Sequence, residues 1–182
     1  MKNTIFFLTI TLVSFTLKAQ EINWISLNKA LELQKEQPRK IMIDVYTNWC
    51  GPCKLLDKKT FQNKDVAAFV NKNYYAVKFN GEGNDSIRYK GSSYSNPNYD
   101  KTKANRRNSA HEFANFIRIN AYPTIVFLNE KGDFIIPLKG FHGPQQLEFY
   151  LKMFINDKHR ELTNQEQFEA YQKAFKPIFK LD

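Results

Sequence analysis

Two cysteines three positions apart are the residues of this chain best suited to chemistry. Cys50 and Cys53 are its only two cysteines, and they lie in the stretch WCGPCK at residues 49–54. Residues three apart on the first turn of a helix are neighbours, so both sulfurs can join in one disulfide. Pro52 suits such a turn because it has no N–H to lose and its φ is already helical. With no cysteine left for a long-range disulfide, these thiols must react with each other or with another molecule.

A helix that begins at this pair gives the two sulfurs different roles. The N–H groups of a first helical turn point outward and carry a partial positive charge. A thiolate at Cys50 is stabilised there, so we expect its pKa to fall below the roughly 8.5 of free cysteine. The thiolate is the attacking species, which makes Cys50 the predicted nucleophile. Cys53, one turn deeper, is the predicted resolving thiol.

Two other uses of the pair are weaker on the residues alone. A zinc site usually needs four ligands, and the three histidines, His111, His142 and His159, have no ligand spacing to the pair. A purely structural disulfide with a two-residue loop is strained and easily reduced. We therefore predict redox chemistry, with no metal and no bound cofactor beyond the disulfide itself.

Alternating helix and strand patterns surround the pair. Before residue 81 the sequence predicts a helix capped by Ser26 and ending near 37, a buried strand over 40–46, helical pieces over 52–60 and 64–71, and a strand over 74–79. Residues 81–108 show no sustained period and are predicted to form a long loop or insertion, with a net charge of +3.

After the insertion the pattern resumes. A capping box formed by Ser109 and Glu112 predicts a helix reaching residue 120. The elements predicted after it are a strand over 124–128, its hairpin partner over 133–139, a helix over 144–155 and a last helix capped within 163–166. This order favours an α/β fold, with a mixed sheet that has helices on both faces.

The sequence resembles the thioredoxin superfamily at several separated positions. The stretch WCGPCK matches the active-site motif of that family, and Asp44, six residues before Cys50, matches its buried acid. Lys78 lies where the family keeps a lysine near the acid. Tyr122, Pro123 and Thr124 occupy the place of its cis-proline loop.

The similarity covers about residues 38–155, including Gly140 after the last hairpin, where thioredoxins also carry glycine. It implies a thioredoxin-like three-layer fold. Ordinary thioredoxins are shorter before the cis-proline helix and lack the insertion, which could lie beside the active site and select partners. The expected organisation is a signal peptide at 1–19, a thioredoxin-like domain at 20–155 and a C-terminal helical extension at 156–182.

The resemblance implies two groups of site residues. The catalytic group is Cys50, Cys53, Asp44 and Lys78, and the substrate-binding group is Trp49, Gly51, Pro52, Tyr122, Pro123 and Thr124. Desolvation of Asp44 would raise its pKa, so that it can exchange a proton with Cys53; the alternative is a buried Asp satisfied by backbone donors. Lys78 would tune Asp44 by its charge, or would merely keep an edge strand soluble.

The implied activity is thiol–disulfide exchange on proteins, in the reducing direction. Gly51 and Pro52 resemble reductants more than strong oxidants, whose intervening residues often include His. Electrons would come from an upstream thiol donor such as a DsbD-type membrane protein. The alternatives are an oxidase or isomerase, a reductase dedicated to the cysteine pair of an apocytochrome, and a client-binding or chaperone module that uses the insertion.

The first residues predict export. Lys2, an apolar run over 5–17 and Ala19 are typical of a secretory signal, which places the protein in the periplasm or outside the cell, although an uncleaved N-terminal anchor is the alternative. The chain has 182 residues and a net charge of +9, or +7 without the two lysines of residues 1–19. Its basic residues are spread along the chain, without the pattern of a nucleic-acid binder. A monomer is expected.

Overall fold

The computed structural model describes residues 21–181, and the predicted signal peptide lies outside the described residues. The strands are β1 Trp24–Ile25, β2 Lys40–Tyr46, β3 Tyr74–Asn80, β4 Ile87–Tyr89, β5 Ser92–Tyr94, β6 Thr124–Leu128 and β7 Phe134–Lys139. Five of them form one sheet in the order β1-β3-β2-β6-β7, and β4 and β5 form a separate hairpin. Strand β2 pairs parallel with β3 and antiparallel with β6, so the central sheet is mixed, as predicted.

Residues 21–181 also form six α-helices. They are α1 Leu27–Glu36, α2 Gly51–Leu56, α3 Lys64–Asn73, α4 Glu112–Phe116, α5 Pro144–Ile155 and α6 Gln165–Ala174. Helix α2 continues as a π-helical segment, Asp57–Phe61, so the helix predicted over 52–60 changes its winding halfway. The Ser26 hydroxyl accepts the N–H of Lys29 and caps α1, which confirms the predicted start of that helix.

The alternation of side chains along β2 divides the core into two halves. Ile41, Ile43 and Val45 face a cluster that includes residues of α1, α4 and the β4–β5 hairpin. Met42 faces the larger cluster, built from α2, α3, α5 and the C-terminal segment. All four of these side chains are fully buried. The result is the three-layer α/β arrangement expected from the sequence, with helices on both faces of the sheet.

The insertion over 81–108 is more ordered than the sequence predicts. It contains the β4–β5 hairpin, whose two-residue turn places Lys90 at φ 48° and Gly91 at φ 82°. Both angles are positive, as a tight hairpin turn that follows the twist of its strands requires, and glycine adopts such an angle without steric cost. A short 3₁₀ helix, Lys101–Lys103, follows.

The capping box predicted at Ser109 and Glu112 is wrong. Helix α4 begins at Glu112, and its cap is the His111 ring, whose Nδ1 accepts the N–H of Phe113 at 3.0 Å. The Ser109 hydroxyl instead donates to Asn96 Oδ1 at 2.7 Å, and the Glu112 carboxylate accepts the backbone N–H of Ser95, in the insertion, at 2.7 Å. The helix also ends at Phe116 rather than at 120, because the chain turns through a positive φ soon afterwards.

The C-terminal residues return to the body of the molecule. After α6 the chain continues over 175–181 without helix or strand, and Phe179 is buried in the larger core cluster. The buried Glu148 carboxylate on α5 accepts the backbone N–H groups of Ile178 and Phe179 at 2.9 and 2.8 Å. Within residues 21–181, no helix has both the length and the apolar character needed to cross a bilayer.

The two edges of the central sheet are short or interrupted. Strand β1 contributes only Trp24 and Ile25. Strand β7 contains Pro137, which pairs with Val126 of β6 and has no N–H to offer to any further strand.

Candidate functional site

The two cysteines form a disulfide at the start of α2. Cys50 is the N-cap of this helix, and its Sγ accepts the backbone N–H of Cys53 at 3.1 Å. This is one of the unpaired N–H groups of a first helical turn, so the turn supplies a donor to the Cys50 sulfur. Both residues are buried, at 2% and 6% exposure, so burial does not separate nucleophile from resolving thiol in this oxidised state. The hydrogen bond from the Cys53 N–H does distinguish them, because its acceptor is the Cys50 sulfur, which makes Cys50 the candidate nucleophile.

The outer surface of this turn consists of Gly51 and Pro52, which are both exposed. Pro52 lies in the first turn of α2, where its missing N–H costs nothing. The chain reaches this turn from the end of β2 through a hydrogen bond between the Cys50 N–H and the Thr47 carbonyl at 3.2 Å. A partner that approaches the disulfide therefore meets these two small residues first.

Asp44 is a buried carboxyl on β2, behind the disulfide. It is 2% exposed, and its Oδ1 has no hydrogen-bond partner among the described residues. The backbone donors proposed as an alternative do not therefore satisfy that oxygen. Burial raises the pKa of Asp44 from 3.8 to about 7; the positive charge of Lys78 opposes this rise and the negative charge of Asp57 adds to it.

Lys78 lies beside Asp44 on the neighbouring strand, in direct register with it. Its Nζ is 3.9 Å from Asp44 Oδ2 and makes a closer ion pair and hydrogen bond with Asp57 Oδ1. Strand β3 lies between β1 and β2, but β1 pairs only with Ala76 and Val77 and does not reach Lys78, so the edge-strand explanation for this lysine stays open. Asp57 was not predicted from the sequence, although its position four residues after Cys53 places the two on one side of the helix.

A cavity of about 480 Å³ joins these groups. Asp44, Cys53, Asp57 and Lys78 all line it, together with Asn105 from the insertion. A larger cavity of about 790 Å³ lies between α1, the β4–β5 turn and the β6–β7 turn, and none of the predicted site residues lines it. We take the smaller cavity as the candidate site, because a buried acid and one sulfur of the disulfide share it.

The cis-proline loop faces Trp49. The peptide bond between Tyr122 and Pro123 is cis, as the resemblance implies. The Tyr122 ring meets the Trp49 ring edge to face with centroids 6.2 Å apart, and it packs so closely on Gly81 that a Cβ there would lie 2.6 Å from the tyrosine oxygen. Burial, with a further contribution from Glu82, raises the pKa of Tyr122 to about 12.

Thr124, the last residue of this loop, differs from Tyr122 in its exposure. It is 1% exposed, and its hydroxyl donates to the Ala121 carbonyl at 2.8 Å. The hydroxyl therefore holds the loop, and Tyr122 is the half-buried member that reaches the surface. Substrate binding by Tyr122, Pro123 and Thr124 stays a prediction.

Trp49 is fixed by the insertion. Its Nε1 donates to Glu82 Oε2 at 2.7 Å, and the same oxygen accepts the N–H of Asn108 at 2.8 Å. The Arg107 guanidinium lies over the Trp49 ring, 4.9 Å from its centroid. Asn48 donates to the Ala104 carbonyl at 2.9 Å. The insertion therefore lies beside the disulfide. Sequence analysis missed Glu82 because nothing in its local pattern indicates this contact.

Among residues 21–181 there is no group of three or more His, Cys, Asp or Glu side chains placed to hold a metal ion. The two cysteines are committed to each other in the disulfide. The chemistry that this arrangement supports is thiol–disulfide exchange.

Comparison with known proteins gives the same indication. A family model described as a thioredoxin-like domain matches residues 27–155. A solved structure of a putative disulphide-isomerase from Bacteroides thetaiotaomicron has a TM-score of 0.50 and 25% sequence identity, covering 75% of this chain and 93% of that chain.

Two further structures are similar in fold. A DsbH oxidoreductase has a TM-score of 0.56 and 15% identity, covering 81% of this chain and 94% of that chain. A thioredoxin-fold protein from Helicobacter pylori has a TM-score of 0.57 and 17% identity, covering 75% of this chain and 81% of that chain. The search of curated proteins found no match.

Proposed function

The chain belongs to the thioredoxin-like family, and on that premise we propose that it reduces disulfide bonds in other proteins through the Cys50–Cys53 dithiol. Its fold and its Cys-x-x-Cys pair are those of a thiol–disulfide oxidoreductase. The observation that carries the proposal is the Cys50 sulfur at the first turn of α2, bonded to Cys53 and accepting its N–H. That position stabilises a thiolate once the disulfide is reduced.

The reaction proceeds in two exchanges. The Cys50 thiolate attacks one sulfur of the substrate disulfide; a mixed disulfide forms and the other substrate sulfur leaves as a thiolate. Cys53 then loses its proton and attacks Cys50 Sγ, which restores the internal disulfide and releases the second substrate thiolate. Two electrons have passed to the substrate, whose thiolates take up two protons. A dithiol donor, such as a DsbD-type membrane protein, must then reduce the enzyme again.

Asp44 is the proposed acceptor of the Cys53 proton. The carboxyl and Cys53 line the same cavity, and a pKa of about 7 gives Asp44 a substantial fraction of both protonation states near neutral pH. Lys78 and Asp57 set the charge around it. No bound cofactor takes part, because the disulfide itself carries the electrons.

Trapping with cysteine variants tests the proposal. Cys53→Ala should accumulate mixed disulfides with its substrates, because no thiol at position 53 can then attack the disulfide between Cys50 and the substrate. Cys50→Ser should trap nothing and should not reduce insulin disulfides in the presence of dithiothreitol. Equal insulin reduction by Cys50→Ser and the unchanged protein would contradict the proposal.

The direction of the reaction is tested by the reduction potential. Equilibration with glutathione buffers should give a value below the roughly −200 mV typical of glutaredoxins. A value near the roughly −120 mV of strong oxidants would contradict the proposed reductase activity and favour a disulfide oxidase. The likeness to a putative disulphide-isomerase makes the refolding of scrambled ribonuclease the matching assay for the isomerase alternative.

We further propose that the protein works in an exported compartment. The proposal rests on the secretory pattern of residues 1–19. Expression of the full chain followed by mass spectrometry of the mature N-terminus tests it. A chain that starts near residue 20 in the periplasmic or external fraction supports export, and an intact N-terminus in the membrane fraction supports the anchor.

A further inference from the structure

A group of exposed cations lies on the part of the insertion nearest the disulfide. We name residues 101–107 the basic segment, after its four exposed side chains Lys101, Lys103, Arg106 and Arg107. Only Lys103 has an ion-pair partner among residues 21–181, namely Asp100 at 3.5 Å. The other three charges have no carboxylate to neutralise them in that part of the chain.

The basic segment is attached to the active site by three contacts. Its Ala104 carbonyl accepts a hydrogen bond from Asn48, its Arg107 guanidinium covers the Trp49 ring, and its Asn105 lines the cavity shared by Asp44 and Cys53. These contacts fix the segment at the rim of the disulfide. A protein whose own disulfide reaches Cys50 must therefore approach alongside it.

Helix α2 and the π-helical segment, which follow the disulfide along the chain, also carry exposed cations. Lys54, Lys58 and Lys59 are exposed on α2 and the π-helical segment, and no carboxylate pairs with them in the described part of the chain. Two of the nearby acids are already engaged: Glu82 binds Trp49 and Asn108, and Asp57 binds Lys78. A third, Asp85, lies close enough to raise the pKa of Tyr46. The exposed charges of the basic segment and of residues 54–59 are nevertheless predominantly positive.

We propose that the basic segment selects partner proteins whose reactive disulfide is flanked by acidic residues. This inference rests on the proposed function and names the class of substrate for the same site. Complementary charge raises the rate of encounter and orients the partner, and partners with basic residues at that position are disfavoured by repulsion. A protein partner is favoured over an anionic membrane because the charges lie where the reacting disulfide must dock.

Synthetic substrates of matched sequence test the selection. Three peptides share one disulfide loop and carry Asp and Glu, Ser and Gln, or Lys and Arg on both sides of it. At about 20 mM salt, kcat/KM for the acidic peptide should exceed that for the neutral one by about tenfold, and the basic peptide should be the poorest. The advantage should shrink toward unity at about 0.3 M salt, because screening shortens the range of the field.

Two charge variants with equal net charge locate the effect. Lys101→Gln, Lys103→Gln and Arg106→Gln together should remove most of the acidic preference. Arg107 is left in place because it packs on Trp49. The matched control is Lys35→Gln, Lys72→Gln and Lys173→Gln, which removes three exposed charges from α1, α3 and α6 and should keep the preference. An equal loss in both triple variants would contradict a local role for the basic segment.

A binding measurement separates this inference from the proposed function. A version of each peptide with Ser in place of Cys cannot react, so its binding, followed by chemical-shift changes in labelled protein, reports the surface alone. Shifts concentrated at residues 101–107 with the acidic peptide support the inference even if no peptide is reduced. Equal binding of acidic and neutral peptides overturns it even if all are reduced. Stronger binding to phosphatidylglycerol vesicles than to the acidic peptide, lost in the first triple variant, would reassign the segment to a membrane surface.

Discussion

Burial of Asp44 has a cost for stability that depends on pH. Its pKa is raised from 3.8 to about 7 in the folded protein. Below pH 4 the carboxyl is protonated in both the folded and the unfolded state. Between these values the folded state holds a proton that the unfolded state has released, so the free energy of unfolding falls as pH rises. Above about pH 7 Asp44 is ionised in both states, and the loss of unfolding free energy caused by its burial reaches its full size.

Asp44→Asn should therefore stabilise the protein at high pH and have little effect at low pH. The amide cannot ionise, so the gain in unfolding free energy should grow from pH 4 to pH 8 and approach at most about 4 kcal/mol, from the linkage between pKa and stability. Urea unfolding across this range measures it. The same variant should slow the resolution of mixed disulfides, since its side chain accepts no proton. A stability difference independent of pH would show that ionisation of Asp44 is not the cause.

Asp57 and Lys78 should move the titration of Asp44 in opposite directions. Asp57→Asn removes a negative charge that raises the pKa of Asp44 and frees Lys78 to approach it, so that pKa should fall by about one unit. Lys78→Met removes the positive charge and should raise it. Carbon-13 NMR of the Asp44 carboxyl measures both shifts, and the pH dependence of insulin reduction should follow them. Shifts of the same sign in both variants would contradict this charge arrangement.

At this scale the sequence predicted the placement of the proposed reacting groups better than it predicted their surroundings. Cys50, Cys53 and Asp44 follow from one motif and one spacing, because a short helix turn and a neighbouring strand fix their separation. Asp57 and Glu82 were missed since each contact depends on how separate elements pack. A carboxylate four residues after Cys53 is a weak local indication of the first, and nothing in the sequence indicates the second.

At the scale of elements, the C-terminal segment is part of the core rather than an appendage. Phe179→Ala should lower the free energy of unfolding by about 3 kcal/mol, because the ring is 6% exposed and packs in the larger core cluster. Ile178→Ala is the matched control: its side chain is 72% exposed, and the change should cost less than about 0.5 kcal/mol. Urea unfolding measures both. Equal effects would mean that the segment is not held as described.

The elements that the sequence predicted best have a long apolar run or a long period of their own. Strand β2 is a nearly continuous run of buried residues, and helices α1 and α5 have buried faces that repeat every three to four residues; the predicted bounds of all three agree with the structure. Strand β1 was missed because two residues carry no period and pair only with β3. The β4–β5 hairpin was missed because its strands have three residues each and its turn sequence, Lys90-Gly91, is not among the strongest hairpin patterns.

At the scale of the whole molecule, the redox state and the folding stability are linked. If the folded protein is a reductant, its disulfide is more stable in the folded chain than in the unfolded one, and the oxidised form must resist urea better than the reduced form. We expect a difference of about 2 kcal/mol, at the low end of what disulfides contribute. Unfolding curves with and without excess reductant measure it. A more stable reduced form is the mark of a strong oxidant and would reverse the proposed direction.

The open sides of the central sheet have a consequence for concentrated solutions. Two copies meeting side by side along β1 would share the backbone of only two residues. Along β7, a second copy that paired with this strand would find no backbone N–H at Pro137, in the middle of the strand. Continuous strand-to-strand stacking, the contact that seeds fibrils, is thereby interrupted on both sides.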